Sequence, residues 1–282
     1  MKTTALINLK GGVAKTTTTV GLASFLSGVF GKKVLVIDID PQTNCTTMLI
    51  DEEKWEELNS QGLTLYSLFA GAIKGEDSFN ISSIIQKNVS GIKEAETVDL
   101  IPSSLNMIDI QDEIATMPPG KFFAGNPVEI LRRAIWKMGG NYDYILIDCP
   151  PNMGLITLNA LRISDSYMIP AIPDILSTYG IPQIVKRVNA FADNIAHDIE
   201  CLGIIATKFR AKSNLHMRIL ERLKEGKDAP LFDTIFPENN DIAAAAMYRP
   251  VNTLRQRFGY GGQYDKFKAL AEEYMRRAEH VS

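Results

Sequence analysis

The sequence predicts an α/β protein, a three-layer sandwich in which helices cover both faces of a mostly parallel, twisted β-sheet. Short apolar runs rich in β-branched residues are continuous rather than alternating, which is typical of strands covered on both faces. Stretches with helical periodicity separate these runs, and strand–helix alternation implies right-handed crossovers between parallel strands. With 282 residues and 45% hydrophobic side chains, the chain can bury a large core. We therefore predict a single domain over residues 1–282.

The individual elements follow from the same patterns. Strands are predicted over residues 3–8, 33–38, 98–104, 143–148, 166–172, 200–207 and 231–236. Helices are predicted over residues 16–29, 104–115, 127–138, 155–162, 177–195, 213–225 and 263–279. Residues 50–97 and 116–126 are less regular, and the Pro and Gly density of the second stretch indicates a loop. We interpret both as irregular insertions in the one domain.

Charge and cysteine usage narrow the functional classes. The net charge is −3, but it divides into −7 for residues 1–200 and +4 for residues 201–282, so the basic end is a candidate polyanion surface. Cys45, Cys149 and Cys201 lie far apart, which argues against a disulfide framework or a metal-cluster site. No signal segment and no apolar run of roughly twenty residues is present. We expect a cytoplasmic protein.

The stretch NLKGGVAKTTTT joins the first predicted strand to the first helix. A strand ending at Asn8 and a helix starting near Thr16 bring free backbone N–H groups and a helix N-terminus to one point, which attracts phosphate. Gly11 and Gly12 let the backbone wrap closely around a phosphate. Lys15 is placed to reach the β- and γ-phosphates, and the Thr16 hydroxyl is placed to bind Mg²⁺. We expect a nucleotide here.

The loop departs from the usual P-loop spelling at two glycine positions, which are Leu9 and Ala14 here. A left-handed backbone would cost alanine about 1–2 kcal/mol. We therefore predict an ordinary right-handed conformation for Ala14. The predicted nucleotide-binding residues of the loop are Gly11, Gly12, Val13, Ala14, Lys15, Thr16 and Thr17.

Three aspartates follow apolar strands. Asp38 ends one strand, Asp40 lies just past it, and Asp148 ends another. Ligands of open parallel sheets collect at the carboxyl ends of strands, so these acids should face the same crevice as the phosphate loop. One carboxylate there could hold Mg²⁺ and another could orient an attacking water, as phosphoryl transfer requires.

These motifs resemble the ParA/MinD family of P-loop ATPases. KGGVAKTT resembles the family's deviant Walker A, whose hallmark is an additional lysine at the place of Lys10; most members carry glycine where Ala14 stands. DIDPQTN resembles switch I, which usually has glycine in place of Thr43, and DCPPNMG resembles switch II. Weaker likenesses continue through most of the chain, except about residues 50–97 and 116–126, and DPQ favours ParA over MinD.

The resemblance implies roles for the candidate residues. The fold would be that of the deviant Walker P-loop NTPases, and two subunits would enclose two ATP molecules, with Lys10 reaching the partner's phosphates. Lys15 and Asp40 would complete the catalytic set, Asp40 by positioning the lytic water. The magnesium site would be formed by Thr16, Asp38 and Asp148, and Pro237 would line the adenine pocket.

The resemblance also implies partners. An ATP-bound homodimer would hold nucleoid DNA nonspecifically, and a ParB-like adaptor on the cargo would stimulate hydrolysis. Only nine residues precede the loop, so we expect no operator-reading helix-turn-helix domain. Phosphate contacts could come from basic residues of the last third, namely Lys208, Arg210, Lys212, Arg218, Arg222, Arg249, Arg255, Arg257, Lys266, Arg276 and Arg277.

Three alternative functions share parts of this pattern. A MinD-like regulator of division-site placement would need a membrane-binding amphipathic helix, and residues 263–279 do show an apolar stripe. Glu272, Glu273 and Glu279 would then face anionic lipid, which disfavours this role. An iron–sulfur carrier would need closely placed cysteines, and an ATP-dependent ligase would make Lys10 superfluous.

Overall fold

The protein folds around one six-stranded sheet, described in a computed structural model for residues 1–76, 79–116, 126–138 and 141–281. All strand pairs are parallel, in the order β3-β2-β4-β1-β5-β6. The strands are β1 (Lys2–Leu6), β2 (Val34–Asp38), β3 (Val98–Ile101), β4 (Tyr144–Asp148), β5 (Ser166–Ala171) and β6 (Glu200–Ala206). The helices are α1 (Lys15–Gly28), α2 (Asn44–Leu49), α3 (Glu52–Ser60), α4 (Leu65–Ile73), α5 (Met107–Thr116), α6 (Ile130–Trp136), α7 (Leu155–Arg162), α8 (Ile175–Ile195), α9 (Asn214–Glu225), α10 (Asn240–Ala244), α11 (Leu254–Phe258) and α12 (Gln263–Glu279).

Alternate residues of each strand supply two separate cores, because strand side chains point to opposite faces. On β4, Tyr144 and Leu146 join the core beneath α1 and α12, whereas Ile145 and Ile147 join the core on the other face. This double burial explains why the strands appear in the sequence as continuous apolar runs. The predicted three-layer α/β fold is confirmed.

Helix α12 packs its apolar stripe into the first of these cores. Phe267 and Leu270 are buried, and the buried Tyr274 hydroxyl lies 2.9 Å from Thr4 Oγ1 on β1. A Cβ atom at Gly21 of α1 would lie 2.1 Å from Phe267 Cε1, so only glycine permits this close approach of α1 and α12. The stripe predicted from the sequence therefore belongs to the protein core.

The predicted strand 231–236 is wrong. This segment runs beside β6 but pairs with it only at isolated positions, among them Ile204 with Leu231. The cause is the buried Glu273 carboxylate on α12, which accepts the backbone N–H groups of Asp233 (3.0 Å) and Thr234 (3.4 Å). The Thr234 N–H, which is the next donor on the β6 side after Phe232, is consequently not available to continue a regular ladder.

The prediction that residues 50–97 are irregular is also corrected. They contain α3, α4 and a short 3₁₀ helix, Ile81–Ile84. Asp51 caps α3 by accepting the Lys54 N–H (2.7 Å), and Trp55 Nε1 donates to Ser103 O (3.1 Å), which anchors α3 to the loop after β3. Of the predicted loop at 116–126, residues 117–125 lie outside the described part of the chain. That the whole chain forms one domain stays a prediction.

Within the described ranges, no helix has both the length and the apolar composition needed to cross a bilayer.

Candidate active site

A cavity of about 530 Å³ opens at the carboxyl ends of β1, β2 and β4. Its size suits a nucleotide-sized ligand. The phosphate loop forms one wall, the first turns of α2 form another, and residues 236–240 close the side. The cavity brings together, among the residues predicted for the site, Gly11, Gly12, Val13, Ala14, Lys15, Thr16, Thr17, Asp40 and Pro237.

Side-chain hydrogen bonds hold the phosphate loop in place. Asn8 Oδ1 accepts the Lys10 N–H (2.9 Å), and Asn8 itself donates to Pro170 O on β5 (2.8 Å). The Thr207 hydroxyl donates to Val13 O (2.9 Å) from the end of β6. The loop is thus fastened to two neighbouring strands, which fixes its backbone before a ligand arrives.

The prediction of a right-handed Ala14 is wrong. Ala14 has φ 64° and ψ 31°, and it stands directly before α1 as its N-terminal capping residue. Thr43 before α2 is left-handed as well, with φ 57°. Each residue enters a helix from a tight loop, and that loop path overrides the preference of the side chain. Each costs about 1–2 kcal/mol relative to an unstrained backbone.

Lys10 lies outside the lining of this cavity. Its ammonium group forms an ion pair with Asp174 Oδ2, and its side chain is 38% exposed. Asp174 also caps α8, because its Oδ1 accepts the Ser177 N–H (3.0 Å). Partial burial raises the pKa of Asp174, but the interactions with Lys10 and the hydrogen bonds from Ser177 together lower it by more, so the net pKa lies below the ordinary value. Lys10 therefore lies in a different environment from Lys15, which lines the cavity.

Lys15 is buried at the base of the cavity, with 7% exposure and no ion-pair partner among the described residues. A buried ammonium without a carboxylate partner is suited to bind an incoming phosphate. The Thr16 hydroxyl donates to Asp148 Oδ2 (2.7 Å), and Thr19 donates to Asp148 Oδ1 (3.2 Å). Burial raises the pKa of Asp148 to about 6, although the Thr16 hydrogen bond and the Lys15 charge oppose the shift.

Asp38 is fully buried and does not line the cavity. Its Oδ2 accepts the N–H and hydroxyl of Thr46 on α2 (2.8 and 2.7 Å), and its Oδ1 accepts the Asp40 N–H (3.1 Å). Burial, and then the nearby Asp148 charge, raise its pKa well above the ordinary value. This geometry favours a positioning role for Asp38, which holds α2 and Asp40, over the predicted role as a metal ligand.

The donor set fits a magnesium ion shared with phosphate. Among the described residues, no group of three acidic, histidine or cysteine side chains could by itself hold a metal. Thr16 and Asp148 nevertheless offer hard oxygen donors beside the phosphate loop, and Asp40 lines the same cavity. Mg²⁺ usually binds one or two protein oxygens together with substrate phosphates, so a sparse protein set is suitable.

Sequence reasoning missed several residues of the site. Asp174 could have been found, because it follows the β5 strand at its carboxyl end and precedes a helix, as the other strand-end acids do. Asn44, Thr47 and Met48 of α2 line the cavity as well. Nothing in their spacing identifies them, since only the fold brings α2 beside the phosphate loop.

A glycine-bearing loop with a buried lysine, opposite carboxylates at strand ends, defines the class of P-loop nucleotide-binding proteins. A family described as an AAA domain matches residues 1–201. The chain is 30% identical to the sporulation initiation inhibitor protein Soj of Bacillus subtilis, with 100% of this chain and 98% of that protein covered. It is 24% identical to the chromosome partitioning protein ParA of Caulobacter vibrioides (100% and 94% covered). The chain belongs to the ParA/MinD family of P-loop ATPases.

Among solved structures, the fold is similar to that of a plasmid partition protein from Borrelia burgdorferi bound to AMPPNP. The TM-score is 0.71 at 23% identity, and 98% of each chain is covered. At that identity the likeness concerns the fold, which agrees with the sheet and helices described above.

Proposed function

We propose that this protein is a magnesium-dependent ATPase that dimerises on ATP, binds DNA nonspecifically, and partitions DNA or another cargo when an adaptor stimulates hydrolysis. The observation that supports the proposal is the different position of the two lysines in the loop. Lys15 lines the cavity, whereas Lys10 lies outside its lining and pairs with Asp174. A cation in that position could bind the phosphates of a nucleotide held by a second subunit.

Within one subunit, the loop amides and Lys15 would bind the phosphates of ATP, and Pro237 would border the base. Thr16 and Asp148 would hold Mg²⁺, which neutralises phosphate charge as the γ-phosphoryl group is transferred. Asp40 would orient the water that attacks the γ-phosphorus while the bridging oxygen leaves with ADP. Asp38 would support both by fixing α2.

Names of the relatives support the partitioning role, since they include a chromosome partitioning ParA and a plasmid partition protein. The MinD-like alternative depended on the apolar stripe of α12. That stripe is buried against α1 and β1, with Phe267 and Tyr274 at most 1% exposed, so packing already accounts for it.

Two single variants test the dimer. Lys15→Ala should lose ATP binding, because the buried counter-charge for the phosphates is removed. Lys10→Ala should keep ATP binding close to the wild-type value but fail to form an ATP-dependent dimer. Nucleotide affinity is measured by titration calorimetry and mass by light scattering, each with ATP and with ADP. An ATP dimer that survives in Lys10→Ala would refute the proposed trans contact.

DNA binding is tested with a gel shift on random-sequence duplex DNA in ATP, in ADP and without nucleotide. The fraction of DNA shifted should require ATP and should fall steeply between low and physiological salt, because binding to DNA phosphates releases counterions. A nucleotide-independent or salt-independent shift would contradict the partitioning cycle. Asp40→Ala provides the hydrolysis control, since it should prolong the ATP-bound, DNA-retained state.

A further inference from the structure

A second concave surface lies away from the nucleotide cavity, between residues 91–93 and the segment that precedes and includes α11. This groove, of about 740 Å³, is lined by Gly91, Lys93, Arg249, Pro250, Val251, Asn252, Gln256 and Tyr260. Among the described residues that line it, two side chains are cationic and none is acidic. Tyr260, which is 73% exposed, stands at its edge.

The floor of the groove is fixed by backbone pairing. Val251 N–H donates to Gly91 O (2.9 Å), and Lys93 N–H donates to Val251 O (3.0 Å). Gln256 Oε1 accepts the Asn252 N–H (2.9 Å) and completes the capping box of α11. The two cations are therefore carried by a preformed scaffold, and the Arg249 guanidinium also donates to Gln256 O (2.5 Å), which lowers the ordering cost of binding a ligand.

A third cation lies beneath the groove. Arg257 is 2% exposed, and its guanidinium donates to Arg249 O (3.2 Å) and Met48 O (3.0 Å). No ion pair to a carboxylate is formed by Arg257 in the described part of the chain. Burial, and then the charge of Arg249, lower its pKa to about 10. A buried positive charge without a counter-ion strengthens the local attraction for anions.

Several of the other basic candidates are already neutralised. Arg210 forms a bidentate pair with Glu238 (2.6 and 3.1 Å), Arg255 lies 3.9 Å from Asp265, and Arg277 pairs with Glu273 (2.7 Å). By contrast, the groove cations Lys93 and Arg249 have no ion-pair partner among the described residues. The neighbouring carboxylate Glu94 is engaged by the Leu254 N–H (2.8 Å) at the start of α11.

From this arrangement we infer that the groove formed by Lys93, Arg249 and Tyr260 is the surface that contacts the phosphate backbone of duplex DNA. The inference rests on the proposed DNA-binding function and assigns it a place. An open groove whose described lining holds exposed cations and no acid suits an extended polyanion, whose phosphates need charge rather than an enclosed, fully hydrogen-bonded pocket. Arg257 also joins the groove to the nucleotide cavity, because Met48 of α2 lines that cavity.

The test compares two variants of equal charge. Lys93→Gln with Arg249→Gln removes the groove cations, and Arg218→Gln with Arg222→Gln removes two exposed cations from α9. Each is titrated with random-sequence duplex DNA in ATP over a range of salt concentrations. Each lost phosphate contact reduces the slope of log K against log salt by about 0.9. The groove variant should therefore lose about 2 units of slope per subunit, and the α9 variant should keep the wild-type slope.

The outcomes separate the inference from the function on which it rests. If the wild type fails to bind DNA in ATP, both are overturned. If the wild type binds DNA and the groove variant keeps its slope, the inference alone is overturned. The inference would also be overturned if the wild type binds anionic phosphatidylglycerol vesicles, and the groove variant loses this binding while its DNA binding is unchanged. ATP affinity and thermal unfolding of both variants should match the wild type.

Arg257→Lys tests the connection to the nucleotide site with a separate readout. The shorter, single-point cation should keep the positive charge and the salt slope but lose one of the two carbonyl contacts. The ratio of DNA affinity in ATP to that in ADP should then fall severalfold. If the ratio is unchanged in a variant with the wild-type Tm, Arg257 does not couple the groove to the nucleotide site.

Discussion

Replacement of Ala14 by glycine should stabilise the nucleotide-free protein. Alanine at φ 64° costs about 1–2 kcal/mol, and glycine removes that strain. Glycine also adds conformational entropy to the unfolded chain, which cancels about 0.4–1 kcal/mol of this stabilisation. The net increase in the free energy of unfolding is therefore about 0.5–1 kcal/mol. For a chain of 282 residues the unfolding entropy is about 0.6 kcal/mol per K, so Tm should rise by about 1–2 °C.

The assay is thermal unfolding of the wild type, Ala14→Gly and a matched control without nucleotide. Ala196→Gly is the control, because Ala196 has φ 46° at the end of α8 and does not line the nucleotide cavity. Both variants should gain similar stability, and Thr43→Gly should add a similar increment to Ala14→Gly. The reasoning is refuted if Ala14→Gly lowers Tm or leaves it unchanged while Ala196→Gly raises it.

Three further predictions follow from the packing and the charges. Gly21→Ala should lower the free energy of unfolding by about 1–3 kcal/mol, although alanine favours helices, because its Cβ would lie 2.1 Å from Phe267 Cε1; a higher Tm would contradict this packing. Asp148→Asn should stabilise the metal-free, nucleotide-free protein at pH 8 by about 3 kcal/mol, and this advantage should shrink as the pH falls below 6 and vanish below about pH 4. The reason is that the native pKa of about 6 exceeds the ordinary 3.8, so the contribution of Asp148 favours folding at low pH and is lost as the pH rises towards 6. A difference in Tm between Asp148→Asn and the wild type that does not change with pH would disprove this prediction. Asp174→Asn should keep the α8 cap but release Lys10, and so tighten the ATP dimer up to about 5-fold in sedimentation, since a partly exposed ion pair contributes at most about 1 kcal/mol. A weaker dimer would show that Asp174 assists association instead.

Most of the site could be predicted because it is local in sequence. The loop from Gly11 to Thr17 is one continuous segment, and Asp40 and Asp148 follow strands whose carboxyl ends meet in any parallel sheet. Neither inference requires knowledge of which helix packs where. The pairing of Lys10 with Asp174 and the contact of Arg257 with Met48 join residues more than 160 positions apart. No local pattern encodes such pairs.

Two of the three wrong predictions share one physical origin. Ala14 was expected to follow its own backbone preference, residues 231–236 were expected to pair as an apolar strand, and residues 50–97 were expected to be irregular. In the first two cases a tertiary constraint prevailed: the path of the phosphate loop at Ala14, and the Glu273 carboxylate beneath Asp233. In the third, α3 is fixed by a local cap together with a distant anchor at Ser103.

By itself, the sequence determined the α/β class, the family, the phosphate loop and the strand-end acids, because periodicity, glycine placement and short-range spacing act over a few residues. Only the tertiary structure decided which cation faces which anion. Lys15 lines the cavity, Lys10 is held at Asp174, and Arg257 lies buried beneath an open basic groove with no carboxylate ion-pair partner among the described residues. Electrostatic energies depend on distance and burial, and these are properties of the folded chain.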